Sequence, residues 1–108
     1  MPDWEVYLTS DAEKDLGDLL LFIDMRDSPE RADSVFERLK RSILDLVNFP
    51  HRGRIVPELK EMGVLEYREI FFKPYRIMYF TRERKVYIVA IFDGRRDLEE
   101  VLHRRFLP

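Results

Sequence analysis

The strongest constraint in the sequence is an unbroken apolar run at residues 86–92, VYIVAIF. Seven residues are short for a helix, and the run is rich in β-branched and aromatic side chains, with no capping residue at either flank. It therefore predicts a central strand that is buried on both faces of a sheet. The chain before residue 65 is then expected to cover one face of that sheet with helices.

Two further strands are predicted before this run. Residues 75–81, YRIMYFT, form a similar apolar run, and the polar segment 81–85, TRERK, joins the two in a turn whose type the sequence leaves open. Residues 65–72 alternate between two faces, with Glu66, Arg68, Ile70 and Phe72 on one and Leu65, Tyr67, Glu69 and Phe71 on the other. Pro74 breaks this alternation because it lacks a backbone donor. Residues 65–92 therefore predict a meander of three antiparallel strands.

The first half of the chain predicts one short edge strand and two helices. Residues 4–8, WEVYL, alternate as a strand. Residues 9–11, TSD, offer caps for the first helix, and Ser10 with Glu13 forms a capping-box pattern. Ser28 is expected to cap the second helix, which runs to about Val47. Because the connection between these amphipathic helices is short, they are expected to form an antiparallel hairpin.

The first helix combines an apolar face with an interior glycine. The residues of that face are Ala12, Leu16, Leu19, Leu20 and Ile23. Gly17 lies inside the helix at a cost of about 1 kcal/mol relative to alanine. Either a neighbour packs closely at Gly17 or the helix tolerates the loss.

The remaining segments predict a loop and a last helix. Residues 51–64 contain two glycines and one proline and predict a loop, with a turn of helix expected at residues 57–61. Residues 93–96, DGRR, predict a turn, and Asp97 is the candidate N-cap of a helix over residues 98–105. The predicted fold is α+β: a two-helix hairpin packed on a small antiparallel sheet, with a short C-terminal helix.

Length and composition narrow the class of protein. A chain of 108 residues allows a single domain, residues 1–108, and the absence of cysteine excludes disulfides and cysteine metal sites. With no signal peptide and no apolar run of about 18 residues, the expected location is cytoplasmic, without membrane contact. Residues 1–50 carry a net charge of −6 and residues 51–108 carry +4. The basic half is compatible with a nucleic-acid or acidic-peptide partner, or the two halves balance each other in the fold.

Five short motifs, in this order and at this spacing, resemble the RelE/ParE superfamily of toxins from toxin–antitoxin modules. They are SDAEKDL at 10–16, LVNFPHRGR at 46–54, EYREI at 66–70, PYRIMY at 74–79 and GRRDL at 94–98. The resemblance covers nearly the whole chain, and the second and last motifs are closer to the ParE branch than to RelE. It implies an antiparallel sheet backed by a helical hairpin, and a cognate antitoxin whose C-terminal segment wraps the toxin.

The resemblance implies one of two activities. RelE-type members cut mRNA in the ribosome, whereas ParE-type members inhibit DNA gyrase and are not known to need a nuclease site. RNA cleavage requires a base, an acid and cations for the phosphate. The available cations are Arg68, Lys73, Arg76, Arg95 and Arg96. RelE-like members carry a tyrosine a few residues after the basic pair, but the matching position here is about Leu102, which cannot transfer protons.

Candidates for catalysis are therefore weak. His103 is adjacent to the tyrosine position and Arg96 belongs to the basic pair, while His51 lies in the loop. An exposed side chain is the simpler interpretation of each histidine. Three tyrosines are most simply explained by sheet packing: Tyr67, Tyr75 and Tyr79. Because no phosphate-cradling glycine loop and no cluster of metal ligands is present, no cofactor or metal is expected.

The resemblance implies a ParE-like toxin of a plasmid-stabilisation module that inhibits DNA gyrase by binding. The predicted contact face carries Arg68, Arg76, Arg95 and Arg96, with residues 52–61 at its edge. The antitoxin is expected in the apolar groove between the helical hairpin and the sheet. One rival function is a ribosome-dependent mRNA endonuclease that uses the same arginines, and another is a non-toxic member that binds antitoxin or DNA.

Two arginines also have structural interpretations. Arg76 lies among apolar neighbours, so it either lines a concave face or pairs with a carboxylate such as Glu66 or Glu69. Arg96 either contacts the target or braces the turn through the adjacent Asp97.

Overall fold

A computed structural model describes residues 3–107. Its strands are β1 (Glu5–Leu8), β2 (Arg54–Ile55), β3 (Arg68–Phe72), β4 (Tyr75–Arg82) and β5 (Lys85–Asp93). Its helices are α1 (Ser10–Arg26), α2 (Pro29–Leu44), α3 (Pro57–Lys60) and α4 (Glu99–Phe106), with a 3-10 turn at Asp45–Val47. The five strands form one sheet in the order β1-β5-β4-β3-β2. The fold is α+β, as the sequence predicts.

Strand β5 has an apolar cluster on each of its faces. Val86, Ile88 and Ile91 pack with α1 and α2, whereas Ala90 and Phe92 pack on the opposite face with residues of α3 and α4. The prediction of a central strand that is buried on both faces is therefore confirmed. The meander β3-β4-β5 is also antiparallel as predicted, although its first strand begins at Arg68 instead of residue 65.

Two features of the sheet differ from the prediction. Strand β1 is an edge strand as expected, but it pairs in parallel with β5, with Glu5 opposite Lys85 and Leu8 opposite Ile88. The sheet is therefore mixed instead of wholly antiparallel. Alternation shows which face a strand buries but not the direction of its neighbour, so residues 4–8 carry no signal for this pairing. The two-residue strand β2 inside the predicted loop is too short to show any alternation.

The helix ends lie close to their predicted positions. Of the candidate caps at residues 9–11, Thr9 is the one that caps α1, because its Oγ1 accepts the Ala12 N–H at 3.2 Å, whereas Ser10 is the first residue of the helix. Ser28 caps α2 as predicted. Helix α2 ends at Leu44, and the 3-10 turn that follows, rather than α-helix, extends to Val47 and buries Leu46.

The last helix starts slightly later than predicted. Asp97 Oδ1 accepts the Glu99 N–H at 3.1 Å, although the N-cap position itself is Leu98. Among the helices within residues 3–107, none is long and apolar enough to cross a membrane.

Candidate functional site

Arg76 lies at the centre of a buried ion-pair network. Its Nε donates to Glu69 at 2.7 Å, and its two terminal nitrogens donate to the two carboxylate oxygens of Glu58, each at 2.7 Å. Arg76 is 8% exposed and Glu69 is 1% exposed. The hydrogen bonds from Arg76 lower the pKa of Glu58 below its ordinary value of 4.5. The carboxylates of Glu58 and Glu69 in turn raise the pKa of Arg76. Of the two interpretations of Arg76 that the sequence leaves open, the ion pair is the one observed: Glu69 is one of the two candidate partners, and the second partner is Glu58 instead of Glu66.

The network also attaches the 51–64 loop to the sheet. The Gly53 N–H donates to the buried Tyr79 hydroxyl at 2.9 Å, and the Gly53 carbonyl accepts from Arg68 Nη1 at 2.8 Å. Arg54 Nε donates to Glu69 at 2.8 Å. A Cβ added to Gly53 would lie 2.7 Å from both the Tyr79 hydroxyl and the Glu69 carbonyl oxygen. The glycine of the FPHRGR motif is thus required by close packing.

The turn after β5 is also packed against this network. A Cβ added to Gly94 would lie 2.9 Å from the Pro74 carbonyl oxygen and 3.0 Å from the side-chain carbons of Arg76. Arg95 is exposed, and its guanidinium donates twice to Asp93, at 3.0 Å and 2.6 Å. These bonds lower the pKa of the Asp93 carboxyl. Gly94 therefore allows the close packing of this turn, and the ion pair between Arg95 and Asp93 stabilises it.

Arg96 differs from the other three predicted contact arginines. Its guanidinium lies 6.0 Å from the centre of the Phe92 ring and is exposed. Within the part of the chain that the structure describes, Arg96 forms no ion pair, so the alternative in which it pairs with Asp97 is not observed. Its charge is available to a partner molecule.

Arg68 and Arg76 do not share a face of the sheet, so the predicted common arginine face is wrong for these two residues. The register places Arg68 opposite Tyr79 and Arg76 opposite Phe71, and neighbouring residues of a strand point to opposite faces. Arg68 therefore lies on the side of the helical hairpin, and Arg76 lies on the side of α3 and α4. Alternation within each strand was visible in the sequence, but the register between strands was not.

A groove of about 420 Å³ lies between α1 and the end of β5. We call it the α1–β5 groove, and its lining residues are Asp15, Asp18, Leu19, Phe22, Ile91, Phe92, Asp93 and Arg96. The groove exists because β1 ends opposite Ile88, so that β5 beyond this residue has no neighbouring strand on that side. It lies between helix α1 of the hairpin and the sheet, where the antitoxin is expected from the sequence.

The open edge of β5 is bonded by two side chains. Asp15 Oδ2 accepts the Ile91 N–H at 3.1 Å, and Arg105 Nη1 donates to the Val89 carbonyl at 3.4 Å. Asp15 and Arg105 also pair with each other, at 2.6 Å and 3.0 Å, which raises the pKa of Arg105. This pair connects α4 to α1. Sequence reasoning missed it, because no local pattern connects residues at the two ends of the chain.

Helix α1 exposes three large apolar side chains, one of which lines the groove. Leu21 is 57% exposed, Phe22 is 56% exposed and Met25 is 76% exposed. We call these three residues the α1 strip. Phe22 also lines the α1–β5 groove, so the strip meets the groove at this residue. Exposed apolar patches of this kind are typical of protein-binding sites.

The catalytic candidates do not assemble into an acid–base site. His103 is exposed in a shallow depression of α4 with Asp97, Glu99, Glu100 and Arg104, whereas Arg96 lines the groove. His51 is exposed and contacts the ring of Trp4. Among residues 3–107, no group of three histidine, aspartate or glutamate side chains is arranged to hold a metal ion.

The three predicted packing tyrosines lie in the sheet. Tyr75 and Tyr79 are buried on the hairpin side, and burial raises the pKa of Tyr79. Tyr67 packs between the rings of Phe80 and Phe106 on the other side. The packing role is confirmed for all three.

Comparisons with known proteins agree with this architecture. Residues 6–98 match the sequence profile of the family described as "ParE toxin of type II toxin-antitoxin system, parDE". A solved chain of the chromosomal ParDE TA system from P. aeruginosa has a similar fold, with a TM-score of 0.71 and 16% sequence identity over 86% of this chain and 98% of that one. No curated protein sequence matches the chain. Since the profile spans most of its length, the chain belongs to the ParE toxin family of type II toxin–antitoxin systems.

Proposed function

We propose that this chain is a toxin that inhibits DNA gyrase by binding, and that a cognate antitoxin neutralises it by covering the α1 strip and the α1–β5 groove. The observation that carries this proposal is the exposed apolar strip on α1, which meets the groove at Phe22. Such a surface suits a protein partner, because the three exposed side chains of the strip gain burial when a second chain covers them.

The antitoxin half of the proposal draws support from the comparison with the P. aeruginosa protein, whose solved structure is of a ParDE system. It draws further support from the open edge of β5, which pairs with no strand beyond Ile88 among the described residues. There the Ile91 N–H and the Val89 carbonyl are bonded by the side chains of Asp15 and Arg105 and not by a neighbouring strand. A partner chain that lies in the groove reaches this edge.

Binding is favoured over RNA cleavage because three of the four predicted contact arginines are already hydrogen-bonded within the chain. Arg68, Arg76 and Arg95 each donate to acceptors within the chain. A nuclease would need several free cations around one phosphate and a base within reach of the 2′-hydroxyl. Arg96 is the remaining member of the predicted contact set, and we assign the target contact to it.

Purified toxin tests the target. We expect the wild-type chain to inhibit gyrase supercoiling, and Arg96→Ala to raise the concentration needed for half-inhibition by about tenfold. Arg31→Ala is the matched control, because Arg31 is exposed on α2 and its side chain forms no ion pair within residues 3–107. Site-specific mRNA cuts on translating ribosomes, abolished by His103→Ala, would instead establish the endonuclease function.

A pair of leucines tests the antitoxin surface. Leu21 in the α1 strip and Leu65 in the loop before β3 are equally exposed, at 57% each. We expect Leu21→Ser to weaken binding of the antitoxin by about tenfold, because it removes apolar area from the interface, and Leu65→Ser to leave binding unchanged. Titration calorimetry measures both affinities, and equal affinities for the two variants would contradict the assigned surface.

A further inference from the structure

The α1–β5 groove contains one charged side chain that has no counter-ion within the described chain. Three carboxylates line the groove, and each is paired with a cation from outside the lining set. The pairs are Asp15–Arg105 at 2.6 Å, Asp18–Lys14 at 2.7 Å and Asp93–Arg95 at 2.6 Å. Arg96 is the fourth charged lining residue, and among residues 3–107 it forms no ion pair. The groove therefore presents a single uncompensated positive charge.

The uncharged lining residues show what surrounds that charge. They are all apolar: Leu19, Phe22, Ile91 and Phe92. A ligand that fits this groove carries one negative group for Arg96 and apolar atoms beside it. The guanidinium matches the two oxygens of a carboxylate, to which it donates two parallel hydrogen bonds.

A nucleic-acid backbone fits the groove poorly. Its phosphates need several cations along the strand, whereas the groove offers one. The remaining phosphates would also lie near the three lining carboxylates. A peptide segment that carries aspartate or glutamate next to apolar side chains has the matching chemistry.

The size of the groove limits how many partners can use it. Its volume of about 420 Å³ is close to that of a pocket for one small molecule. It accommodates a few side chains of one polypeptide, and one guanidinium forms one bidentate pair. Two proteins that each direct a carboxylate to Arg96 cannot bind there together.

We propose that the α1–β5 groove is a receptor for a carboxylate on an apolar peptide segment, and that the antitoxin and the target each direct such a carboxylate to Arg96. This inference rests on the proposed function, in which the antitoxin covers the groove and the target contacts Arg96. It adds the chemical group that both partners carry and the reason why one excludes the other. The antitoxin neutralises the toxin by occupying the guanidinium that the target needs.

Substitutions of Arg96 test the shared contact. We expect Arg96→Ala to weaken binding of the cognate full-length antitoxin by about tenfold, as it weakens inhibition of gyrase. Arg96→Lys should lose less affinity, because it keeps the charge without the two-pronged donor. Arg31→Ala is the matched control and should bind normally, since Arg31 is exposed on α2 and does not line the groove. Titration calorimetry measures the affinities, and unchanged binding by Arg96→Ala would overturn the shared contact.

A double-mutant cycle tests the chemical class of the ligand. Each aspartate and glutamate in the antitoxin is replaced in turn by asparagine or glutamine. One such replacement is expected to weaken binding to the wild-type toxin by about tenfold and to have almost no effect on binding to Arg96→Ala. If no acidic residue of the antitoxin is coupled to Arg96 in this way, a carboxylate is the wrong ligand. If Leu21→Ser still weakens binding in that case, the proposed antitoxin surface stands without the carboxylate contact.

Release kinetics test the mutual exclusion. Labelled toxin bound to gyrase is chased with excess unlabelled toxin, which gives its dissociation rate, and then with increasing concentrations of antitoxin. We expect the same release rate at every antitoxin concentration, because the antitoxin captures only toxin that has already dissociated. A release rate that rises with antitoxin concentration would reveal a ternary complex and overturn the exclusion. Failure of the wild-type toxin to bind gyrase would refute the proposed target, while the coupling of the antitoxin to Arg96 would still be measured by the cycle.

Discussion

At the scale of single residues, Arg76 shows how a charged side chain becomes part of a core. Its strand neighbours Tyr75 and Ile77 are buried on the opposite face, and its own face is closed by carboxylates from α3 and β3. Burying a charge is unfavourable unless its hydrogen bonds are made, and here three of them are made to carboxylates. Arg76 therefore contributes to stability instead of presenting a charge to a target.

Removing the Arg76 guanidinium tests this role. We expect Arg76→Met to lower the free energy of unfolding by about 3 kcal/mol, because Glu69 keeps a fully buried carboxylate with Arg54 as its remaining partner. Urea unfolding followed by circular dichroism measures the change. The double variant Arg76→Met, Glu69→Gln is the control, since it removes the uncompensated charge and should recover part of the loss. A change below about 1 kcal/mol in the single variant would contradict the role.

The same network predicts a dependence of stability on pH. Hydrogen bonds from Arg76 lower the folded-state pKa of Glu58 below 4.5, so near that pH the folded state binds fewer protons than the unfolded state. The contribution of Glu58 is therefore present above about pH 4.5 and is lost as the pH falls through its lower folded-state pKa. Urea unfolding from pH 6 to pH 3 is expected to show a shallower loss for Glu58→Gln than for the wild type. Parallel curves for the two proteins would exclude Glu58 as a source of the acid sensitivity.

At the scale of elements, the turn between β4 and β5 is built from unfavourable residues. Glu83 and Arg84 have φ angles of 51° and 64°, in the left-handed region that favours glycine and asparagine. Because Arg82 pairs with Lys85, these two residues form the whole loop. The geometry is that of a hairpin turn in which both central residues have positive φ.

Exchanging these residues is expected to stabilise the protein. The variant Glu83→Asn, Arg84→Gly should raise the free energy of unfolding by about 1 kcal/mol, because both new residues adopt positive φ at lower cost. The exposed ion pair of Arg84 with Asp3 at 3.3 Å is lost in this variant, but an exposed pair contributes little, so the expected gain in the free energy of unfolding is hardly reduced. Thermal unfolding measures the gain. The reversed order, Glu83→Gly with Arg84→Asn, is a control of identical composition, and a loss of stability in both variants would show that the native side chains are preferred.

The elements that sequence reasoning predicted correctly are those with local signals. The apolar run 86–92 predicts β5, and Ser28 with Pro29 predicts the start of α2. The Arg76–Glu69 pair was one of the two interpretations that the sequence offered for Arg76, because an arginine among apolar strand neighbours needs a carboxylate close by. In each case the residues that form the structure are close together in the chain.

The features that sequence reasoning missed depend on distant segments. The parallel direction of β1 and the pairing of Asp15 with Arg105 both join the start of the chain to its end. The common arginine face was wrong because it required the register between β3 and β4, which alternation within either strand does not specify.

At the scale of the whole molecule, the pair formed by Asp15 and Arg105 connects the C-terminal helix to the hairpin. We expect Arg105→Met to increase amide hydrogen exchange in α4 and at Ile91, because α4 loses its bidentate bond to α1. Exchange in α2 should stay unchanged. Mass spectrometry of exchanged peptides measures both regions.

Arg104→Met is the matched control for this variant. Arg104 lies next to Arg105 in α4, is exposed, and reaches Glu100 only at 4.0 Å. The Arg104→Met substitution should leave amide hydrogen exchange in α4 close to that of the wild type. Equal exchange in the two variants would show that the apolar contacts of Leu98 and Leu102 alone hold α4 in place.

The pairing of β1 with β5 has a consequence for how the protein is made. Strand β1 is synthesised about 80 residues before its partner β5, with Glu5 opposite Lys85. During translation, β1 therefore has no strand to pair with until β5 has been made. A product that terminates before residue 85 lacks the strand on which both apolar clusters assemble, so we expect it not to form the native core.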